Sequence, residues 1–428
     1  MKKIVISVIL AKALFAASFS VELTDISNNQ IITQAIITDS KNSFKPDING
    51  TFHIDTEEST LHAKGYGYRP YSFLADANTT KVMLEPIEIK ALYLSFWAAN
   101  ATSPRTKNIL KIVDENASNA IVVDIKNEYG STSFKTDFAQ ANKYGAFHQR
   151  TNRDIDGFMN LMKEKNVYTI ARVCTFIDDL QAENNQDYAI KNKDGSIWRN
   201  HDGMAWVDPF DKRSHEYAIR IAEEAAKVGF DEINFDYIRF PAREGLVYSK
   251  ESTPENRVKA IEDFLKLAES RLKKYGVFIS VDTYGNIFWT PKGDDNNIGQ
   301  TVESMKNYVD YIAPMLYPSG FANGSFGYKH PSEHPYVVIN RTITNKHDSI
   351  EPVRIRPWLQ YFKDYAHKRR EYKKFEVQEQ IRGALDANAS GWMVWSPSSR
   401  YHLEYFQDEI VEAEITEEFE NLEIATNP

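Results

Sequence analysis

From Ile89 to Trp395 the chain alternates eight short apolar runs rich in β-branched and aromatic residues with seven stretches of helical periodicity. The apolar runs are Ala91–Trp97, Asn119–Lys126, Tyr168–Val173, the strand within Gly229–Pro241, Val277–Asp282, Tyr311–Tyr317, Ile355–Gln360 and Gly391–Trp395. Thr106–Asn116, Ile155–Lys165, Ser214–Val228, Glu255–Tyr275, Val302–Val309, Tyr336–Lys346 and Glu376–Asn388 read as helices between them. Strands this uniformly apolar need cover on both faces, which a parallel sheet wrapped in helices supplies. Eight such units are the count that closes a barrel. The expected fold class is therefore α/β, a (β/α)8 TIM barrel over residues 89–405.

Ahead of the barrel, residues 21–88 change pattern. Gln30–Thr38, Lys45–Ile54, Leu61–Ala63 and Tyr66–Tyr68 are short and separated by turn clusters, as in a small all-β sandwich. The stretches QAIITDSKNSFKPDINGTFHI and LHAKGYGYRP resemble the carboxypeptidase-regulatory-like sandwich, which carries a D-x-x-G-x-F turn and a later Gly-Tyr. That resemblance implies an accessory role. Residues 1–18 have the form of a secretory signal peptide: Lys2 and Lys3, an apolar core at Ile4–Leu10, and small residues at Ala16-Ala17-Ser18. The expected location is periplasmic or secreted. No stretch is long and apolar enough to span a bilayer. Cys174 is the only cysteine, so no intrachain disulfide can form. A net charge of −9 argues against a nucleic-acid partner. Residues 406–428 form an acidic tail, with seven glutamates and no Lys or Arg in the last twenty positions, and read as a solvated end.

Strand side chains alternate with period two, so each run has an inward set. In GFDEINFDYIRFP, Asn234 and Asp236 share one face while Ile233, Phe235 and Tyr237 share the other. Applied to every strand, the rule gathers Trp97, Asp124, Lys126, Arg172, Asp236, Asp282, Tyr317, Gln360 and Trp395 at the C-terminal mouth, where TIM barrels place their chemistry. Buried carboxylates also serve structural networks, and each Trp also fits core packing. The convergence from nearly every strand is what favours a site.

This set suits sugar chemistry. Glycoside cleavage needs one carboxyl to donate a proton and a second to act as nucleophile or base. Asp236 and Asp282 lie on neighbouring strands about 4.8 Å apart, so their carboxyls can approach the roughly 5–5.5 Å of a retaining pair. An inverting pair such as Asp124 with Asp236 is the alternative. Arg172 or Arg239 would keep one carboxylate ionised.

The motifs VVDIKNEYG, WVDPFD, GFDEINFDYIRFP, APMLYPSGFANGSFG, RPWLQYF and GWMVWSP occur in that order over Ile89–Ser399. Together they resemble the bacterial glycoside-hydrolase-like family once catalogued as a domain of unknown function, with its FDYxRFP strand. The resemblance implies a glycosidase-like TIM barrel. Members carry a histidine in the loop after the sixth strand, where this chain has Gly320. The fourth strand is also similar to the chitinase signature DxxDxDxE, with Asp231, Asn234 and Asp236 at the aspartate places and Ile238 at the catalytic Glu place. The substrate-assisted chitinase mechanism is thus unavailable here.

The expected function is hydrolysis of a polysaccharide or cell-envelope glycan, with Asp236 as nucleophile and Asp282 as acid/base. Asp124, Lys126, Arg172, Arg239, Tyr237, Tyr317, Gln360, Trp97 and Trp395 would arrange the carbohydrate. The alternative is a non-catalytic glycan-binding protein on a degenerate barrel; a deacetylase or lyase is a third, weaker reading. No cofactor and no metal are expected: Asp178-Asp179 and Asp294-Asp295 read as solvated turns, and Cys174 as a small buried hydrophobe.

Overall fold

The computed structural model describes residues 17–345, 349–351, 354–367 and 369–407. The expected leader falls outside these residues except for Ala17 and Ser18, and the acidic tail except for Phe406 and Gln407. Seven strands come first: β1 Ala17–Asp25, β2 Ala35–Thr38, β3 Ser43–Phe44, β4 Thr51–Thr56, β5 Thr60–Gly65, β6 Tyr71–Leu74 and β7 Lys81–Leu84. They form a three-stranded sheet, β4-β1-β7, and a four-stranded sheet, β3-β2-β5-β6. Val21, Leu23, Ile37, Phe52, Ile54 and Leu61 fill one shared core. The first strand starts at Ala17, earlier than the pattern indicated, and Ala17 and Ser18 pair with Thr56 and Asp55.

The remaining strands are β8 Ile89–Leu94, β9 Ala120–Lys126, β10 Tyr168–Cys174, β11 Glu232–Asp236, β12 Phe278–Tyr284, β13 Tyr311–Met315, β14 Trp358–Gln360 and β15 Gly391–Trp395. All pair in parallel, and β15 pairs with β8 to close the barrel. The first seven are each followed by at least one helix. These helices start where their caps dictate. Ser103 accepts from the Arg105 N–H, and Thr253 accepts from the Asn256 N–H, each just ahead of a proline at the first helical position. The helix Lys212–Lys227 stops because Gly229 takes φ +101°, a conformation that side chains other than hydrogen disfavour, and the chain turns into β11.

The sandwich packs on the N-terminal end of the barrel. The Lys64 ammonium lies 2.8 Å from the Asp310 carboxylate just before β13, and a His62 ring nitrogen lies 3.0 Å from the Lys274 carbonyl before β12. The Arg69 guanidinium donates to the Asn166 carbonyl before β10. Tyr66 meets Tyr311 edge-on at 6.0 Å, and with Ile87 it packs against the lowest barrel layer. Inside that end, the Arg356 guanidinium pairs with Glu232 at 2.8 Å, Tyr168 donates to the same carboxylate, and Arg356 lies over the Tyr311 ring. The bottom of the barrel is therefore a closed ionic layer with a domain over it.

Candidate active site

At the opposite end, Arg172 on β10 is the centre of a carboxylate cluster. Its Nη1 donates to Asp124 at 2.6 Å, its Nε and Nη2 donate to Asp236 at 3.0 and 2.5 Å, and Nη2 reaches Glu128 at 3.4 Å. Its Nε is also 4.0 Å from Asp282. Period two explains the assembly: β9, β10, β11 and β12 each aim one of these side chains inward, Asp236 and Asp282 one inward step beyond Asn234 and Ser280. Asp124 and Arg172 are register partners, as are Arg172 and Asn234, then Asn234 and Ser280.

The two strand-end aspartates sit in different surroundings. Asp236 accepts two bonds from Arg172 and one from the Tyr237 N–H at 2.6 Å, an acceptor-only setting that suits an ionised carboxylate. Asp282 is buried, and accepts from the Asn234 amide at 2.9 Å and the Trp358 indole at 2.7 Å. Burial, and next the neighbouring Asp236 charge, push its carboxyl well above the usual carboxylate range, against the opposing pull of Arg172. Burial thus favours the protonated form of Asp282, while Asp236 sits among the Arg172 donors. Burial and the Glu128 charge push Asp124 up to about 6, with Arg172 and the Tyr93 hydroxyl pulling the other way. Burial, then Asp282 and Asp236, keep the Tyr317 hydroxyl protonated.

These groups open into a cavity of about 230 Å³ whose wall includes Asp236, Asp282, Arg172, Tyr317 and Trp395. Tyr237 and Arg239 line it from the loop after β11. Tyr237 takes φ +51°, which costs roughly 1–2 kcal/mol for a residue with a side chain, and such strain concentrates at functional sites. Its ring packs against Trp206, and the Arg239 guanidinium lies 4.6 Å from the Tyr284 ring and 4.9 Å from Trp206. Trp395 stacks on Tyr93 at 3.9 Å and under the Arg172 guanidinium at 4.9 Å.

Three expected site residues are placed elsewhere. Lys126 is fully buried, 2.9 Å from Asp178, and donates to the Cys174 carbonyl. The register jumps between the pairs Asp124–Arg172 and Lys126–Val173, so Ile125 is a bulge and Lys126 has left the inward phase. Trp97 does not continue β8: the strand ends at Leu94, Phe96–Ala98 form a 3₁₀ turn, and Trp97 is 63% exposed. The inward residue of that strand is Tyr93, whose hydroxyl donates to Asp124 at 2.6 Å. Gln360 accepts from the Ser319 N–H and donates to the Phe362 carbonyl, tying the loop after β13 to β14. The aspartates expected in solvated turns are also engaged: Asp178 neutralises Lys126, and Asp295 neutralises the buried Arg257 at 2.7 Å. Asp231, the first position of the chitinase-like pattern, accepts from Thr169 at the opposite end of β11. Cys174 is buried, and burial pushes its thiol well up.

The sequence reading missed Glu128, Tyr284, Met315 and Trp358, which also line the cavity. Trp358 was legible: it lies two residues before Gln360 and so shares its inward phase. Glu128 follows the bulge, where alternation no longer predicts direction. Among the described residues no group of three or more His, Cys, Asp or Glu side chains is arranged to hold a metal ion.

Residues 91–401 match the family model described as "Putative glycosyl hydrolase domain". The chain belongs to this family. The glycosyl hydrolase domain thus accounts for the barrel and leaves the sandwich outside it. Among solved structures, a hypothetical protein from Ruminiclostridium thermocellum is 30% identical over 45% of this chain and 96% of its own, with a TM-score of 0.39. The PgaB (BpsB) glycoside hydrolase domain from Bordetella bronchiseptica is 11% identical over 73% of this chain and 95% of its own, with a TM-score of 0.50. An alpha-L-fucosidase isoenzyme from Paenibacillus thiaminolyticus is 12% identical over 75% of this chain and 48% of its own, also at 0.50. These last two share the barrel fold. No curated protein matches the chain. Among the described residues no helix is long and apolar enough to cross a membrane.

Proposed function

We propose that this glycosyl hydrolase domain cleaves glycosidic bonds of a polysaccharide or cell-envelope glycan, with Asp236 as nucleophile and Asp282 as acid/base. One observation carries the reading. Two neighbouring carboxyls open into one cavity, one set among cationic donors and the other driven by burial to keep its proton. A raised acid beside a second carboxylate held by a guanidinium is what the reaction requires.

In the first step an Asp236 oxygen forms a bond to the anomeric carbon as the glycosidic C–O bond breaks, and the Asp282 proton goes to the leaving oxygen. In the second, the Asp282 carboxylate takes a proton from water. The water oxygen bonds to the anomeric carbon and Asp236 leaves as carboxylate. Arg172 holds Asp236 in line, and Trp358 and Asn234 fix the Asp282 carboxyl. Tyr317 and Trp395 offer ring faces and a hydroxyl to the sugar.

The test is hydrolysis of a panel of bacterial envelope glycans and polysaccharides by wild type, Asp236→Asn and Asp282→Asn. The expected result is cleavage by wild type that both variants lose, with the product anomer matching the substrate. Inversion of the anomer would replace Asp236 as nucleophile by a base acting through water. A wild type that binds a glycan without cleaving it, matched by both variants, would make the barrel a recognition domain.

A further inference from the structure

A second cavity, of about 460 Å³, lies beside the first and is not used by the reaction above. It is formed by the loops after β12 and β13. Trp289, Phe321 and Phe326 give it an aromatic corner, and Asn286, Asp294 and Asn296 give it a polar side. The two cavities share a wall. Tyr284 faces the catalytic cavity and Asn286 the second, with Gly285 between them. A Cβ on buried Gly285 would sit 2.8 Å from the Met315 carbonyl and 3.1 Å from the Phe321 ring, so only glycine lets the two loops pack this closely here. Met315 lines one cavity and Phe321 the other.

The aromatic corner is built rather than incidental. Trp289 is 44% exposed, yet its indole N–H is fixed by the Thr342 hydroxyl at 3.0 Å and its ring meets Phe326 edge-on at 5.1 Å. Phe326 takes φ +60°, the left-handed region that a side chain disfavours, and from there its ring also packs on Phe321 at 5.2 Å. A flat ring held rigid at a cavity wall that also carries amide and carboxylate groups suits a pyranose, with C–H bonds on its faces and hydroxyls at its edge. The size comparison points the same way. The catalytic cavity is below the roughly 300–1,000 Å³ of ligand-holding clefts, and the second lies within that range.

We propose that the second cavity is a distal sugar-binding subsite, so that the substrate is an oligomeric or polymeric glycan. Its chain runs from Asp236 and Asp282 over the exposed Tyr284 onto the face of Trp289. This rests on the glycosidase reading above and adds chain length as a determinant of recognition.

The experiment uses an array of bacterial exopolysaccharide and peptidoglycan oligosaccharides, from disaccharide to hexasaccharide. It is probed with Asp236→Asn protein, with Asp236→Asn/Trp289→Ala and with Asp236→Asn/Trp289→Phe, and wild-type hydrolysis of the same glycans is measured alongside. The expected result is about tenfold weaker hexasaccharide binding on loss of the indole, disaccharide binding unchanged, and recovery with Phe. Equal thermal unfolding of the three proteins separates this from a folding defect. Hexasaccharide binding that Trp289→Ala leaves unchanged, or a loss equal for short and long ligands, overturns the subsite while the glycosidase reading stands. Trp289-dependent binding with no wild-type hydrolysis upholds the site and removes the glycosidase reading. A protein that binds no glycan on the array overturns both.

Discussion

The two ends of this barrel each bury charge, and they do opposite things with it. At the bottom, Glu232 meets Arg356 one to one, Tyr168 supplies a hydrogen bond, and the sandwich lies over that end. At the top, Asp124, Glu128, Asp236 and Asp282 crowd around Arg172, and the cluster opens into a cavity. A balanced pair sealed from solvent offers nothing to a substrate. In an unbalanced cluster burial and like charge raise the proton affinity of Asp282 and Asp124, which under the proposed reaction makes Asp282 the proton donor. Barrel geometry offers both layers from the same strands; charge count and access set them apart.

The largest expected effect tests that division directly. Asp236→Asn should lower turnover on the order of a thousandfold or more while the unfolding midpoint moves little, as read by steady-state kinetics and thermal melts. Glu232→Gln should do the reverse: about 3–5 kcal/mol of stability lost in denaturant titration, because Arg356 is left buried and unpaired. Replacing both partners, Glu232→Met with Arg356→Leu, should recover most of it. If the single bottom variant kept its stability, the contrast between the two layers would fail.

A pH titration sharpens the comparison. The Asp124 carboxyl is raised from 3.8 to about 6, so the folded chain binds that proton more tightly than the unfolded chain does. Its contribution is full below pH 3.8 and is lost as pH rises through about 6. Over that window the wild type should lose on the order of 3 kcal/mol relative to Asp124→Asn. A flat difference between the two stability curves would remove the unbalanced-cluster account. The smallest effect concerns the docked domain: Lys64→Ala should cost about 1 kcal/mol and leave the kinetics unchanged, since Asp310 keeps its bond from the Ile279 N–H. Impaired turnover in that variant would mean that the sandwich reaches the site after all.

The period-two reading of the strands brought Asp124, Arg172, Asp236, Asp282 and Trp395 to one mouth because those strands stay regular up to that level. It misdirected Lys126 and Trp97 for local reasons. One bulged residue reverses the phase of β9, and β8 stops before the alternation reaches Trp97. Neither event has a Pro or Gly to announce it.

The sequence by itself determined the strand and helix grammar, the eightfold count and the inward phase of Asp236 and Asp282. Those follow from side-chain spacing along the chain, which is a local property. The tertiary structure alone decided that β15 closes on β8, that the sandwich covers the bottom, and that burial raises the proton affinity of Asp282. Each of those depends on residues far apart in the chain meeting in space. A carboxyl's proton affinity in particular is set by the burial and the charges around it, such as Arg172 and Trp358, which no local spacing encodes.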